Sequence, residues 1–425
     1  MAISAQLNTS YLASNLVNQK YQPLENINMQ QADQPTITNL ASNRSTTLDR
    51  LNIQARNLTY IGEDINGTMA REQAAGMLPP LVVISSNRSG WIRRTYDVGR
   101  VLAGNGNFAN MNDRDALFNG AVPIYCPFRL AAAQQPLRNV YIFVHVTEYG
   151  TYAQNLAGTN MRVIGWKMRS PNQLVGFGGA RYAAIEFFKH INSNTNPVSC
   201  NMIWMFDDNV VYINNFPDLQ PVEAAMTNNA NLVGLGFTGA TSALTYEQIT
   251  QIAHQPPPQQ VAAAPVGAPI LQQAVLWRIS ALRASNTNYC PYFITSAEDS
   301  SLTKYLGDTL CQYYVGSTVQ KGALASTDYD NQPGSQRFSA LKSQLLNLLY
   351  ENAQPPNIDT PAQANCPLNT LLATFPPATL NKELPQVMYS KAVEQILFTA
   401  LDNQLRLPVG TFTFTPAFIQ LIDVI

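Results

Sequence analysis

Charge is what this sequence has least of. Asp, Glu, Lys and Arg make up only 12% of the 425 residues, and 26 basic against 27 acidic side chains leave a formal net charge of -1. No long block of either sign occurs, so the clustered cations with which a dedicated nucleic-acid binder tracks phosphates are missing. Histidine is scarcer still. His145, His190 and His254 share no H-x-x-x-H spacing, which leaves a zinc centre or a Ser/His/Asp triad almost nothing to draw on. The cysteines, Cys126, Cys200, Cys290, Cys311 and Cys366, are odd in number and form no C-x-x-C pair. That is the usage of reduced, mostly buried thiols, not of a disulfide framework.

Long apolar runs are also missing: no stretch reaches the roughly 18 consecutive apolar residues of a membrane helix. The opening "MAISAQLNTSYLASNLVNQKYQ" has neither the basic region nor the continuous apolar region of a secretory signal. The expectation is a soluble protein, cytoplasmic or exported by a route other than the general secretory one. Triplets such as Asn57-Leu58-Thr59 are then chance in an Asn-rich chain and not glycosylation sites.

What the chain does have is apolar bulk. Hydrophobic residues are 46% of it, ample for a full-sized core. Residues 1–46 are rich in Asn, Gln, Ser and Thr and read as a mobile leader. Residues 47–76 carry helix-like spacing at Leu48, Leu51, Ile53, Ala55, Leu58 and Ile61, with Gly76 as a stop. At Pro79-Pro80 the pattern changes. Short β-branched runs, Leu81 to Ser85, Asn139 to Glu148, "MRVIGWKM" and "NMIWMFDDNVVYI", alternate with helical segments through Thr95 to Leu102 and "GARYAAIEFFKHI". Strands and helices in alternation indicate α/β layering over a mainly parallel central sheet, expected over 77–330. The Pro/Ala/Gln-rich 254–269 reads as a long loop, and residues 331–425 as a helical C-terminal cap.

Four constellations could carry chemistry. Asp207, Asp208 and Asn209 close an apolar strand, where a carboxylate pair is costly to bury without a cation or hydrogen bonds. Successive strand residues point to opposite sides, so one Asp can take a divalent cation while the other reaches a hydroxyl or a nearby donor. A turn capped by Asp and Asn is the alternative. Arg88, Arg93, Arg94 and Arg100 follow the first strand; their forks match a diphosphate, or they line a solvated helix face. Gly176, Gly178 and Gly179 precede Arg181 at the start of a helix, as an anion site or simply a tight turn, and no P-loop lysine follows. Glu298 and Asp299 open a further helix, as favourable N-terminal acids or as a general acid/base pair.

In this order, "VVISSNR", "VYIFVHVTEYGTYAQNL", "GGARYAAIEFF", "IWMFDDNV" and the Glu298-Asp299 pair resemble a GT-A glycosyltransferase over residues 79 to about 310. More narrowly they are similar to the branch associated with TET/JBP-type base modification. The resemblance implies a GT-A-like nucleotide-sugar-binding domain and transfer of a hexosyl group, from a UDP-sugar or related donor, to a hydroxyl acceptor. It places the D-x-D-like Asp207, Asp208 and Asn209 on Mn2+ or Mg2+. Ser85, Ser86 and Arg88 would lie near the nucleotide together with Asp207 and Asp208, Arg181 near the diphosphate, and Asp299 with Glu298 near the acceptor. The acceptor it suggests is a protein side chain, as for a secreted effector, or a modified DNA base. A catalytically inactive GT-A-like binding module is the alternative, because Asn209 stands where many relatives carry Asp.

Overall fold

The structure is a computed structural model. It describes residues 2–4, 57–63, 65–72, 77–94, 96–97, 138–168, 177–191, 201–213, 219–237, 240–241, 266–267, 270–289, 298–314 and 319–321. The first half runs β1 (Ala2–Ser4), β2 (Asn57–Ile61), α1 (Ile65–Glu72), β3 (Leu81–Ile84), β4 (Val140–His145), α2 (Tyr149–Asn155), β5 (Met161–Lys167) and α3 (Phe177–Ile191). It continues with β6 (Met202–Asp207), β7 (Val210–Ile213), α4 (Gln220–Asn228), β8 (Gly234–Gly236), β9 (Ala240–Thr241) and β10 (Val266–Gly267). Last come β11 (Ala274–Arg278), α5 (Ile279–Ala284), α6 (Glu298–Leu306), β12 (Cys311–Tyr313) and β13 (Val319–Lys321).

Ten strands form one mixed sheet in the order β1-β2-β5-β4-β3-β6-β11-β8-β12-β10, and β7-β13-β9 form a second, smaller one. The centre, β5-β4-β3-β6, is parallel throughout. Following the pairings outward, β1, β8 and β12 run with these four strands, while β2, β10 and β11 run against them. The chain winds outward from β3 through β4 to β5, then returns to place β6 on the other side of β3. This reversal is a topological switch point, where the loops leaving two neighbouring strands part and open a crevice at their C-terminal ends. "SSNR" leaves β3 there, and Asp208-Asn209 leave β6.

The parallel strands form where they do because both faces are covered. β3 and β4 are buried along their whole length, so their unbroken apolar runs are what such a position demands. One face, with Leu81, Val83, Ile142, Trp204 and Phe206, packs against Tyr152 of α2 and Val222 and Met226 of α4. On the other, Phe143 and Tyr141 meet Phe187 and Phe188 of α3 edge-on, at centroid distances of 5.5–5.6 Å. Each large side chain fully buried in this way contributes about 1.5–3 kcal/mol.

Two expectations change. Asn57–Ile61 is a strand, not helix: Leu58 and Tyr60, both fully buried, alternate with the partly exposed Thr59 and Ile61, and the Tyr60 hydroxyl donates to Ala183 O at 2.6 Å. Ala2–Ser4 pair with β2, and the remainder of the expected leader, 5–46, lies outside the described residues. Helical residues after β3 begin at 89, ahead of the expected 95–102. The Pro-rich 254–265 and the cap over 331–425 lie outside the described residues. No described helix is long and apolar enough to cross a membrane.

Candidate functional site at the β3/β6 switch point

The alternation of β6 decides how its two terminal carboxylates are used. Trp204 and Phe206 face the α2 side, and Asp208, next in that series, follows them. Ile203 and Met205 belong to the other series, continued by Asp207. Each Asp meets an arginine from its own side of the sheet.

On the α2 side the arrangement is closed. Asp208 is 4% exposed; its Oδ1 accepts from Arg88 Nη1 at 2.6 Å and its Oδ2 from Ser85 Oγ at 2.6 Å. Ser85 Oγ also lies 2.7 Å from the Tyr152 hydroxyl. Because Ser85 spends its one proton on Asp208, Tyr152 donates to Ser85, while the Arg88 backbone N–H donates to the Tyr152 oxygen at 2.9 Å. Burial first, then the charge of Asp208, raises the Tyr152 pKa far above its ordinary value, so this donor does not ionise. Asn87, at φ 56°, turns the loop, and its N–H is taken by Glu148 Oε1 at 2.6 Å. Asn tolerates this left-handed conformation better than other side chains. The "SSNR" loop is thus pinned by α2, and Arg88, 5% exposed, answers a buried carboxylate.

On the α3 side the arrangement is more open. Arg181, the fifth residue of α3, donates from Nη2 to Asp207 Oδ1 at 2.7 Å and from Nε to Glu298 Oε1 at 3.3 Å. Its guanidinium lies 5.7 Å from the ring centroid of Tyr289, whose hydroxyl accepts from Trp277 Nε1 at 3.1 Å. Arg181 therefore ties the end of β6 to the start of α6. Glu298 is buried, and burial together with the neighbouring Asp299 pushes its carboxyl up to about 8, against the opposing pull of Arg181. The Asp207 side chain remains 22% exposed, against 5% for Asp208. Solvent reaches the first of these carboxylates and hardly touches the second.

Each expected site residue can now be placed. Arg88, Ser85 and Asp208 come together on one side, and Arg181, Asp207 and Glu298 on the other. Ser86 is buried beside them, and Asp299 sits half-buried in the first turn of α6. Gly178 and Gly179 lie inside α3 and not in a turn before it. Sequence reasoning missed Tyr152, Glu148, Tyr289 and Gln273. The last stands at φ 65° just before β11, and its carbonyl accepts the Asp207 N–H at 2.9 Å. "VTEYGTY" held a signal for the first two, an acid and an aromatic directly after a strand.

The resemblance implies a divalent cation, which the residues here can be tested against. Asp208 does not fit, since both of its oxygens are taken within the closed half. Asp207 fits as a partly exposed carboxylate, and Asn209 Oδ1 is buried with no hydrogen-bond partner among the described residues. Hard oxygens of this kind suit Mg2+ or Mn2+. Among the described residues no group of three or more His, Cys, Asp or Glu is arranged to hold a metal, so such a site would depend on neutral amide oxygens.

No protein-family model matches the chain, and no curated protein is significantly similar to it.

Proposed function

We propose that the chain is a glycosyltransferase that moves a hexosyl group from a nucleotide diphosphate sugar, such as a UDP-sugar, to a hydroxyl acceptor. One observation carries this reading. Ion pairs join Arg88 of the "SSNR" loop to Asp208, and Arg181 to Asp207 and Glu298, so that segments up to some two hundred residues apart in sequence are tied to the C-terminal end of β6 beside β3. Open α/β sheets bind nucleotides at such crevices.

In this reading Asp207 and Asn209 hold Mn2+ or Mg2+, whose charge would stabilise the departing diphosphate. Arg181 fixes the Asp207 carboxylate and adds positive charge on the same side of the crevice. The acceptor oxygen forms the new bond to the anomeric carbon as the bond from that carbon to the diphosphate oxygen breaks. The acceptor proton goes to Asp299 if the product is inverted. Glu298 is the poorer base, because a carboxyl that titrates near pH 8 already holds its proton at neutrality. Ser85, Arg88 and Asp208 shape the crevice from behind. The near-neutral charge balance favours a protein side chain over duplex DNA as acceptor.

The test is to incubate the purified protein with a panel of nucleotide sugars and Mn2+, following donor hydrolysis and binding together. Hydrolysis of one donor supports the proposal. Metal-dependent binding without hydrolysis would point to an inactive binding module, and neither would remove the nucleotide-sugar reading altogether.

A further inference from the structure

At the end of the sheet opposite the switch point, α1 is held by polar contacts. Its buried side chains, among the described residues, are Thr68 and Glu72, one turn apart and so on one face of the helix; none of them is apolar. A helix of 8 residues is not stable by itself, so what docks it decides whether it forms. α1 packs on α3, and Glu72 ties it to the sheet. Glu72 Oε1 accepts from Asn139 Nδ2 at 2.7 Å and from the Tyr141 hydroxyl at 2.8 Å, both at the start of β4.

This carboxyl is used through one oxygen only. Glu72 Oε2 is buried with no hydrogen-bond partner among the described residues, and so is Thr68 Oγ1 one turn back. An ionised carboxylate wants donors at both oxygens, and one left bare in the interior is costly. The neutral acid has no such need: Oε1 remains the carbonyl that takes both donors, and the proton sits on Oε2. Burial pushes the Glu72 carboxyl up to about 7, against the opposing pull of Tyr141, Asn139, Arg71 and Arg138. Burial also raises Tyr141 far above its ordinary value, so it stays a donor. Of the charged groups nearby, Arg71 pairs with Glu63 and Arg138 with Glu223. On α3, Lys189 and Glu186 pair with each other, and burial holds His190 below its ordinary value.

We propose that Glu72 is a pH-sensitive latch: the neutral carboxyl holds α1 against the start of β4, and loss of its proton releases the helix. The latch lies at the other end of the sheet from Asp207 and Arg181, and it stands whether or not the chain is a transferase. The docked helix holds the proton more tightly than the released one. Docking is therefore strongest at acid pH, weakens as pH rises from about 4.5 to 7, and then levels off.

The test is hydrogen–deuterium exchange of the full-length protein, read by mass spectrometry over a pH series and corrected for the intrinsic exchange rate at each pH. In wild type, protection of the α1 amides should fall about tenfold or more between about pH 5.5 and about pH 7.5, while that of β4 changes far less. Glu72→Gln keeps the acceptor at Oε1 and cannot ionise, so its α1 protection should change less than about twofold over the same range. Tyr141→Phe removes a donor that favours the charged form and should move the midpoint of the fall to higher pH. Protection of α1 independent of pH in wild type, a wild-type pH dependence kept by Glu72→Gln, or a midpoint unmoved by Tyr141→Phe would overturn the latch. So would a fall shared equally by β4 and α3, which would be the opening of the whole fold.

Discussion

Asp207 and Asp208 are neighbours in sequence and belong to different environments. Asp208 sits in a closed set in which an arginine, a serine, a tyrosine and a backbone amide are bonded in sequence, and solvent hardly reaches it. Asp207 shares one arginine with an acid that titrates near 8 and keeps about a fifth of its side chain exposed. The difference teaches that a D-D pair need not be one functional unit. The two-residue period of a strand sends one carboxylate to shape the crevice and leaves the other to face what enters it.

The comparison breaks most readily through Asp208. Replacing it with Ala removes the carboxylate paired with the buried Arg88 and should cost about 3–5 kcal/mol of stability in urea unfolding. A loss below about 1 kcal/mol would mean that the closed half is not structural. Tyr152→Phe removes a donor to Ser85 and an acceptor for the Arg88 amide, and a loss of about 1–2 kcal/mol is expected by the same measurement.

The open half should respond to pH instead. Glu298 titrates near 8 in the fold against about 4.3 in an unfolded chain, so between those values the folded state holds the extra proton. Its contribution is therefore at its most favourable at the acid end and declines as pH rises from about 4.5 to 8. In Glu298→Gln the melting temperature should fall less steeply than in wild type over that window, as scanning calorimetry would show. An unchanged slope would place the titrating group elsewhere. Asp207→Asn should have the smallest effect on stability, within about 1 kcal/mol, because Arg181 keeps Glu298 and the amide oxygen can still accept. It should nonetheless abolish Mn2+-dependent nucleotide binding in calorimetric titration.

The parallel core was legible in the sequence because strands buried on both faces must be apolar without interruption, as Leu81–Ile84 and Val140–His145 are. The helix carrying Arg181 was legible from its apolar periodicity, and the need of the Asp pair for partners followed from the cost of burying charge. β2 was not, because Leu58 and Ile61 also continue the three-to-four spacing that begins at Leu48, and only pairing with β5 selects the extended form. Tyr152 and Gln273 were not legible for a different reason. A phenol becomes a relay only when the fold brings Ser85 and Arg88 to it from some sixty residues away. A strained φ is imposed by a neighbouring strand and leaves no mark in composition.

The most direct test of the division between the two halves removes the closed pair without stranding a charge. In the double variant Arg88→Met, Asp208→Leu both partners become apolar together, a change that buried ion pairs tolerate. Its Mn2+-dependent affinity for UDP should stay within about threefold of wild type in calorimetric titration. A loss of about tenfold or more, with cooperative unfolding retained, would show that Asp208 serves the ligand and that the pair acts as one unit after all.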